Sequence, residues 1–122
     1  MAEYSPITED HRWFVGEKKT LEFTVKNQDD TLADITSWDL EWVLRPAAKS
    51  STVLLTKTSA VVSEIMKSDP TNGVCRVVIL PADTLAIDIG AGTYDHALKR
   101  SDGDNDAVLV FGEAVLRAAA TR

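Results

Sequence analysis

Strict alternation of apolar and polar residues is the feature of this sequence that most restricts its fold. Every second residue is apolar over residues 21–25, and the same period of two recurs over residues 38–45, where Trp38, Leu40, Trp42 and Leu44 share one side. Side chains of a β-strand alternate between the two faces of a sheet, whereas a helix needs apolar residues every three or four positions. The pattern therefore predicts half-buried strands, each with one face toward a core and one toward solvent.

Turn-forming residues divide the rest of the chain into further short elements. Gln-Asp-Asp at 28–30 and Ser-Asp-Pro-Thr-Asn-Gly at 68–73 are turn sequences, because Asx side chains bond to the local backbone and Asn-Gly tolerates positive φ. Gly112 is a candidate β-bulge, and residues 81–86 form a candidate helical turn. The remaining predicted strands cover residues 52–62, 74–80, 93–99 and 107–116.

Short strands separated by turns predict an all-β fold, an antiparallel β-sandwich of about seven strands. Two aromatic features favour an immunoglobulin-like arrangement. Trp38 and Trp42 share one face of an early strand, where large rings can fill the space between two sheets. Tyr94 opens a late strand, where a tyrosine corner would lie.

Residues 1–14 precede the first clear alternation and are predicted to form an N-terminal arm. We expect the sandwich to occupy residues 15–117 and a short tail to occupy residues 118–122. The arm carries large apolar side chains without a clear period, so it is either frayed, as chain ends usually are, or packed on a neighbouring subunit. The candidate interface residues of the arm are Tyr4, Ile7, Trp13 and Phe14.

Composition and charge exclude several classes of function. Thirteen Lys and Arg stand against nineteen Asp and Glu, which gives a formal net charge of −6 and argues against nucleic acid as a partner. The apolar runs are far shorter than the ~20 residues that cross a bilayer, so no membrane partner is expected. The first residues lack the features of a secretion signal, which predicts synthesis in the cytoplasm. Cys75 is the only cysteine, so no intrachain disulfide can form.

The chain contains none of the common catalytic or cofactor-binding motifs. His96 lies in the middle of a strand and is expected to be a half-buried core residue, while His11 lies in the arm. Apolar neighbours should leave the Cys75 thiol inert. Nothing in the sequence places two carboxylates in one pocket. We therefore expect neither an enzyme nor a bound cofactor. The nearest candidates for a carboxylate pair are Asp83, Asp88 and Asp95.

The acidic loop at residues 101–106 resembles part of a calcium-binding loop. Asp102, Asp104 and Asp106 alternate, and Glu113 occupies the position of the twelfth ligand residue. Ala107, however, stands where such a loop needs glycine for its sharp turn, and no helices are predicted on either side. We expect a solvated hairpin tip rather than a metal site, with a looser divalent-ion site on loop 102–106 as the alternative.

Five short motifs follow one another in a distinctive order. They are Val-Gly-Glu at 15–17 with the strand after it, Asp-Ile-Thr-Ser-Trp at 34–38, Asn-Gly at 72–73, Pro-Ala-Asp-Thr-Leu at 81–85 and Gly-Thr-Tyr-Asp at 92–95. In this order they resemble the N-terminal immunoglobulin-like domain of tailed-phage upper baseplate proteins and related small phage structural proteins. The resemblance extends over residues 15–116, and its signal lies in the order of the motifs.

The resemblance implies a virion component that is made in the host cytoplasm and has no catalytic site. Such a module docks onto other phage structural proteins in many symmetric copies, as a homo- or hetero-oligomer. The fibre-forming C-terminal region of upper baseplate proteins has no counterpart here, so a head decoration or a connector protein stays open beside a tail or baseplate adaptor. The alternative function is a carbohydrate-binding sandwich at the particle surface, which would need exposed aromatic rings in a row.

Overall fold

Strands make up most of the residues that the structure describes, and they form two sheets. The computed structural model describes residues 7–8, 10–27, 29, 31–46, 52–86, 92–102 and 107–117. Two short helical elements lie between strands, a 3-10 turn at Pro70–Asn72 and the helix α1 at Pro81–Ala86. The strands of the described residues are β1 (Ile7–Thr8), β2 (His11–Phe14), β3 (Lys19–Thr24), β4 (Leu40–Arg45), β5 (Leu55–Thr58), β6 (Ile65–Asp69), β7 (Val74–Ile79), β8 (Gly92–Arg100) and β9 (Ala107–Arg117).

The strand order is that of an immunoglobulin-like sandwich. The larger sheet has the order β1-β9-β8-β4-β5, with β2 also paired to β9, and the smaller sheet has the order β3-β7-β6. β1 and β2 run parallel to β9, and the other strand pairs are antiparallel. The chain crosses between the two sheets after β2, β3, β5 and β7, as in the immunoglobulin fold, and β4, β8 and β9 lie at the centre of the larger sheet. The predicted fold class is confirmed.

The core lies between the two sheets and is built from the alternating residues. The inward positions of β3, β4 and β7 are at most 1% exposed, which confirms the predicted faces of these strands. Trp38 precedes β4 and is only partly buried, with the Arg100 guanidinium carbon 4.2 Å from its ring centroid. Tyr94, at the start of β8, also packs against the core from its edge. The inward residues are Leu21 and Phe23 on β3, Leu40, Trp42 and Leu44 on β4, and Cys75, Val77 and Ile79 on β7.

The predicted turn at residues 68–73 is confirmed, and it is hydrogen-bonded to the loop that contains Ile35. Gly73 ends the 3-10 turn with φ of 75°, a left-handed conformation that favours glycine. A Cβ atom at this position would lie 2.5 Å from the carbonyl oxygen of Val25 and 2.8 Å from that of Ala33. The Ile35 amide donates to the Pro70 carbonyl at 2.9 Å, so the two loops close one end of the sandwich together.

The expected boundary between arm and sandwich at residue 14 needs correction. Strands β1 and β2 belong to the larger sheet, and Trp13 is 3% exposed within the core. The physical reason is the free edge of β9, whose backbone groups are satisfied by parallel pairing with the N-terminal residues. A four-residue strand is too short to display its alternation clearly, which is why the sequence pattern did not reveal it.

Two local predictions also need correction. The strand predicted over residues 52–62 is limited to β5, because the chain turns at residues 59–64 and the Thr58 amide donates to the Glu64 carboxylate at 3.0 Å. Gly112 is not a bulge, since it pairs with His96 in regular register. The register instead shifts between Val108 and Val110, where the additional residue is buried.

Candidate docking face

Cross-strand register assembles the outer face of the larger sheet from β4, β8 and β9. Because Leu40, Trp42 and Leu44 point into the core, the intervening residues of β4 point away from it. The register then sets outward residues of the three strands side by side in rows. These are the charged row Arg45, Asp95 and Glu113, the apolar row Val43, Ala97 and Phe111, and the mixed row Glu41, Lys99 and Val108.

The apolar row and its neighbour Val108 give this outer face a hydrophobic centre. Phe111 is 45% exposed and Val108 is 42% exposed, while Val43 is buried although it lies on the outward side. A concavity of about 510 Å³ opens on the face between the apolar row and the charged row. An exposed apolar centre with a charged rim is typical of surfaces that bind another protein.

The charged row is not neutralised within the described residues. The buried Nε atom of Arg45 has no hydrogen-bond partner there, and Arg45, Asp95 and Glu113 form no ion pair with any described residue. Asp10 approaches from the edge, where its carboxylate accepts a hydrogen bond from the Glu113 amide at 3.0 Å. The mixed row, by contrast, contains an ion pair between Lys99 and Glu41 at 3.3 Å. Outside this ion pair, the three rows present one cation, Arg45, and the carboxylates of Asp95 and Glu113.

Both histidines lie on the inner side of the same sheet. The Trp42 indole donates from Nε1 to Nδ1 of His96 at 3.2 Å. His96 is only 2% exposed, so its predicted place in the core is confirmed, but it is more deeply buried than predicted. The ring centroids of His11 and His96 are 5.4 Å apart, and that of Phe23 is 5.5 Å from His11. Sequence reasoning missed this contact, because it left His11 in an arm outside the sandwich.

Burial lowers the pKa of His11 from 6.5 to about 4. The neighbouring His96 and Lys19 lower it further, and the carboxylate of Asp10 acts in the opposite direction. His11 is therefore neutral at pH 7 and contributes to packing as an uncharged ring.

The four candidate interface residues of the N-terminus do not form one surface. Tyr4 lies outside the described residues, and Ile7 is placed in β1 opposite Val110. Trp13 is in the core, so its expected role at an interface is corrected, while Phe14 next to it is 43% exposed on the edge strand β2. The outer face was missed because its rows come from three distant segments, and only the register brings them together.

The acidic candidates are distributed over separate places. Asp83 lies 2.6 Å from the Lys57 ammonium and caps the Leu80 amide at 2.7 Å, which gives it a structural role beside α1. Asp95 belongs to the charged row of the outer face. Asp88 lies outside the described residues. In the parts of the chain that the structure describes, no three His, Cys, Asp or Glu side chains come together in a metal-binding arrangement.

The acidic loop is described only at its start. Asp102 accepts hydrogen bonds from the Arg100 guanidinium at 2.7 and 2.9 Å, and this contact lowers the pKa of its carboxyl to about 2. Asp104 and Asp106 are outside the described residues, while Glu113 lies in β9 opposite Asp95. The hairpin tip stays a prediction, with the divalent-ion site as its alternative.

Comparison with known proteins yields a fold likeness. No family model and no curated protein matches the chain. The NK cell receptor NKp44 is 14% identical with a TM-score of 0.46, over 93% of this chain and 99% of that one. A marsupial T cell receptor is 11% identical with a TM-score of 0.46, over 94% of this chain and 50% of that one.

In the described ranges, helices of the length and hydrophobicity that a membrane span requires are absent.

Proposed function

We propose that this chain is a non-enzymatic structural or assembly protein of a tailed bacteriophage particle, where it acts by docking to other structural proteins in multiple copies. The observation that carries the docking role is the outer face of the larger sheet. Phe111 of the apolar row and the neighbouring Val108 are 45% and 42% exposed, although burying a large apolar side chain is worth about 1.5–3 kcal/mol. A partner that covers the face gains this free energy. The order of the five motifs supports the assignment to a phage particle.

The alternative function, binding of carbohydrate at the particle surface, has less support. Sugar rings stack on exposed aromatic side chains, but Trp13 and Trp42 are buried and Trp38 is half-buried beneath Arg100. A glycan array with the isolated protein distinguishes the two functions. Glycan binding that is abolished by Phe111→Ala would favour the alternative.

The test uses particles of a phage whose genome carries this sequence. Mass spectrometry of purified particles should detect the protein at a defined copy number, and comparison of full particles with tailless heads should locate it. Absence of the protein from particles would contradict the proposal.

A variant pair tests the role of the outer face in incorporation. Phe111→Glu places a charge in the apolar row at a half-exposed position, so the variant should fold but should be lost from particles. Val62→Glu is the matched control, because Val62 is 71% exposed in the turn between β5 and β6 and lies on none of the three rows. Equal incorporation of both variants would refute a docking role for the outer face.

A further inference from the structure

We infer that the outer face of the larger sheet pairs with the same face of a second copy of this chain and forms a symmetric dimer. The inference rests on the docking role proposed above and names the partner of that face. It is carried by the arrangement of charges in the three rows, which makes the face complementary to itself under one particular two-fold rotation. A two-fold interface requires such self-complementarity, because each contact occurs twice with the residues exchanged.

In a face-to-face dimer, the larger sheet of one copy packs against the larger sheet of the other copy. The two-fold axis lies in the plane between these two sheets. If the axis runs along the apolar row, the apolar row of one subunit lies over the apolar row of the other subunit, and the apolar side chains are in contact. The same rotation sets the charged row of one copy over the mixed row of the other. Arg45 then faces Glu41 of the partner subunit, and Asp95 faces Lys99 of the partner subunit. Glu113, the third member of the charged row, faces Val108 of the partner subunit and takes no part in these ion pairs.

The four residues of the two opposed pairs form a balanced cluster of charges. Glu41 and Lys99 already pair at 3.3 Å within one chain, and the rotation brings the unneutralised Arg45 and Asp95 of the other chain to this pair. Two cations and two anions are thus combined, and symmetry repeats the cluster on the other side of the apolar row. Complementary charges of this kind fix the register of an interface.

The second orientation that keeps the strands aligned is disfavoured by charge. With the axis along β8, Arg45 faces Glu113 of the partner subunit, but Asp95 and Lys99 each lie over the same residue of the other copy. Like charges placed opposite each other are unfavourable and suppress this arrangement. The row pattern therefore favours the axis along the apolar row.

The area of the face is adequate for a weak, reversible dimer. The five strands in the path of the larger sheet are between two and eleven residues long, and with about 4.8 Å between strands and about 3.3 Å per residue they cover roughly 500 Å². A standard interface buries about 800 Å² on each partner, and transient interfaces bury less. The side chains of Phe111 from both copies lie on the axis, beside the concavity of about 510 Å³ that each face contains.

Sedimentation equilibrium of the purified full chain over a wide concentration range tests the dimer with charge variants. We expect a reversible dimer for the unmodified chain and loss of the dimer for Arg45→Glu and for Glu41→Arg, because each places like charges opposite each other. The double variant restores the opposed pair and should restore the dimer. Arg76→Glu is the control, since Arg76 lies in the smaller sheet, and it should leave the dimer unchanged. Melting curves verify that each variant folds.

Cross-linking tests the direction of the axis. Thr56 pairs with Val43 and extends the apolar row onto β5, so the axis along this row places it opposite its own copy. Thr56→Cys should cross-link with a bis-maleimide spacer of about 10 Å, the usual distance between packed sheets. Val62→Cys should not cross-link, and the buried Cys75 leaves the background low. A chain that remains monomeric, or a dimer that survives both single charge variants, overturns the inference.

The two proposals fail in distinguishable ways. A monomeric chain that still requires Phe111 for incorporation into particles would retain the docking function and exclude the dimer. A dimer with the predicted variant pattern, formed by a protein absent from particles, would retain the dimer and exclude the phage role.

Discussion

Acidification should weaken the fold, because His11 is partly buried and lies beside His96. His11 packs at the edge of the core beside His96 and Phe23, and its pKa is lowered from 6.5 to about 4. In the unfolded chain the same imidazole binds a proton at about pH 6.5. The unfolded state therefore binds more protons as the pH falls below 6.5. The contribution of His11 to the free energy of unfolding therefore has its full value above pH 6.5, and it is lost progressively as the pH falls toward 4.

The size of this effect follows from the lowered pKa. A change from 6.5 to about 4 corresponds to about 3 kcal/mol if all of it appeared in the free energy of unfolding. His11 is only partly buried, so solvent screens part of the interaction, and about 1–2 kcal/mol is the expected loss. A domain is stable by about 5–15 kcal/mol, so a loss of this size is measurable.

Urea denaturation at pH 7 and pH 5 measures the effect in a range where few other groups titrate. The chain contains two histidines, and carboxyl groups titrate mostly near pH 4. His11→Gln removes the titrating group and should reduce the loss of stability between the two pH values. The NMR titration of the His11 ring should give a midpoint well below 6. A midpoint near 6.5 in the folded protein, or an unchanged pH dependence in His11→Gln, would refute the reasoning.

Further substitutions and truncations probe other parts of the fold. Trp42→Ala should reduce the free energy of unfolding by about 3–5 kcal/mol, because it empties a fully buried site, whereas Trp38→Ala at a half-buried site should cost clearly less in the same urea titration. Gly73→Ala should lower the melting temperature by several degrees, since the new Cβ collides with a backbone carbonyl; an unchanged melting temperature would argue against this turn geometry. Deletion of residues 1–14 should destabilise the domain because it removes β1, β2 and a buried tryptophan, and deletion of residues 1–6 should leave these strands in place; equal melting of the two truncated proteins would contradict the pairing with β9.

The regular part of the fold could be predicted because each strand carries its own signal. The alternation of Leu21 and Phe23 with polar residues depends on neighbours in the sequence, and so does that of Cys75 and Val77. In such strands, the alternation of apolar and polar residues along the sequence shows which face is buried. The turn that ends at Gly73 also depends on local chemistry, and the structure places each of these features where the sequence predicted it.

The N-terminal strands and the outer face could not be predicted, since both depend on pairing between distant segments. Whether residues 11–14 form a strand is decided by the free edge of β9, about one hundred positions later in the chain. The charged row joins Arg45 to Asp95 and Glu113, which no window of the sequence contains together. The shift of register in β9 adds to the difficulty, because it changes which residues of this strand face outward.

In strand β8, the residues that stabilise the fold and the residues available for association lie on opposite faces. His96 and Leu98 point inward and are at most 2% exposed, so they contribute to the stability of the sandwich. Asp95, Ala97 and Lys99 alternate with them on the outer face, where the proposed docking would take place. Changes at the outward positions should therefore alter association while leaving the melting temperature nearly constant, and changes at the inward positions should do the reverse. The period of two that first indicates a strand in this sequence is also what allows a surface for association to vary without loss of the fold.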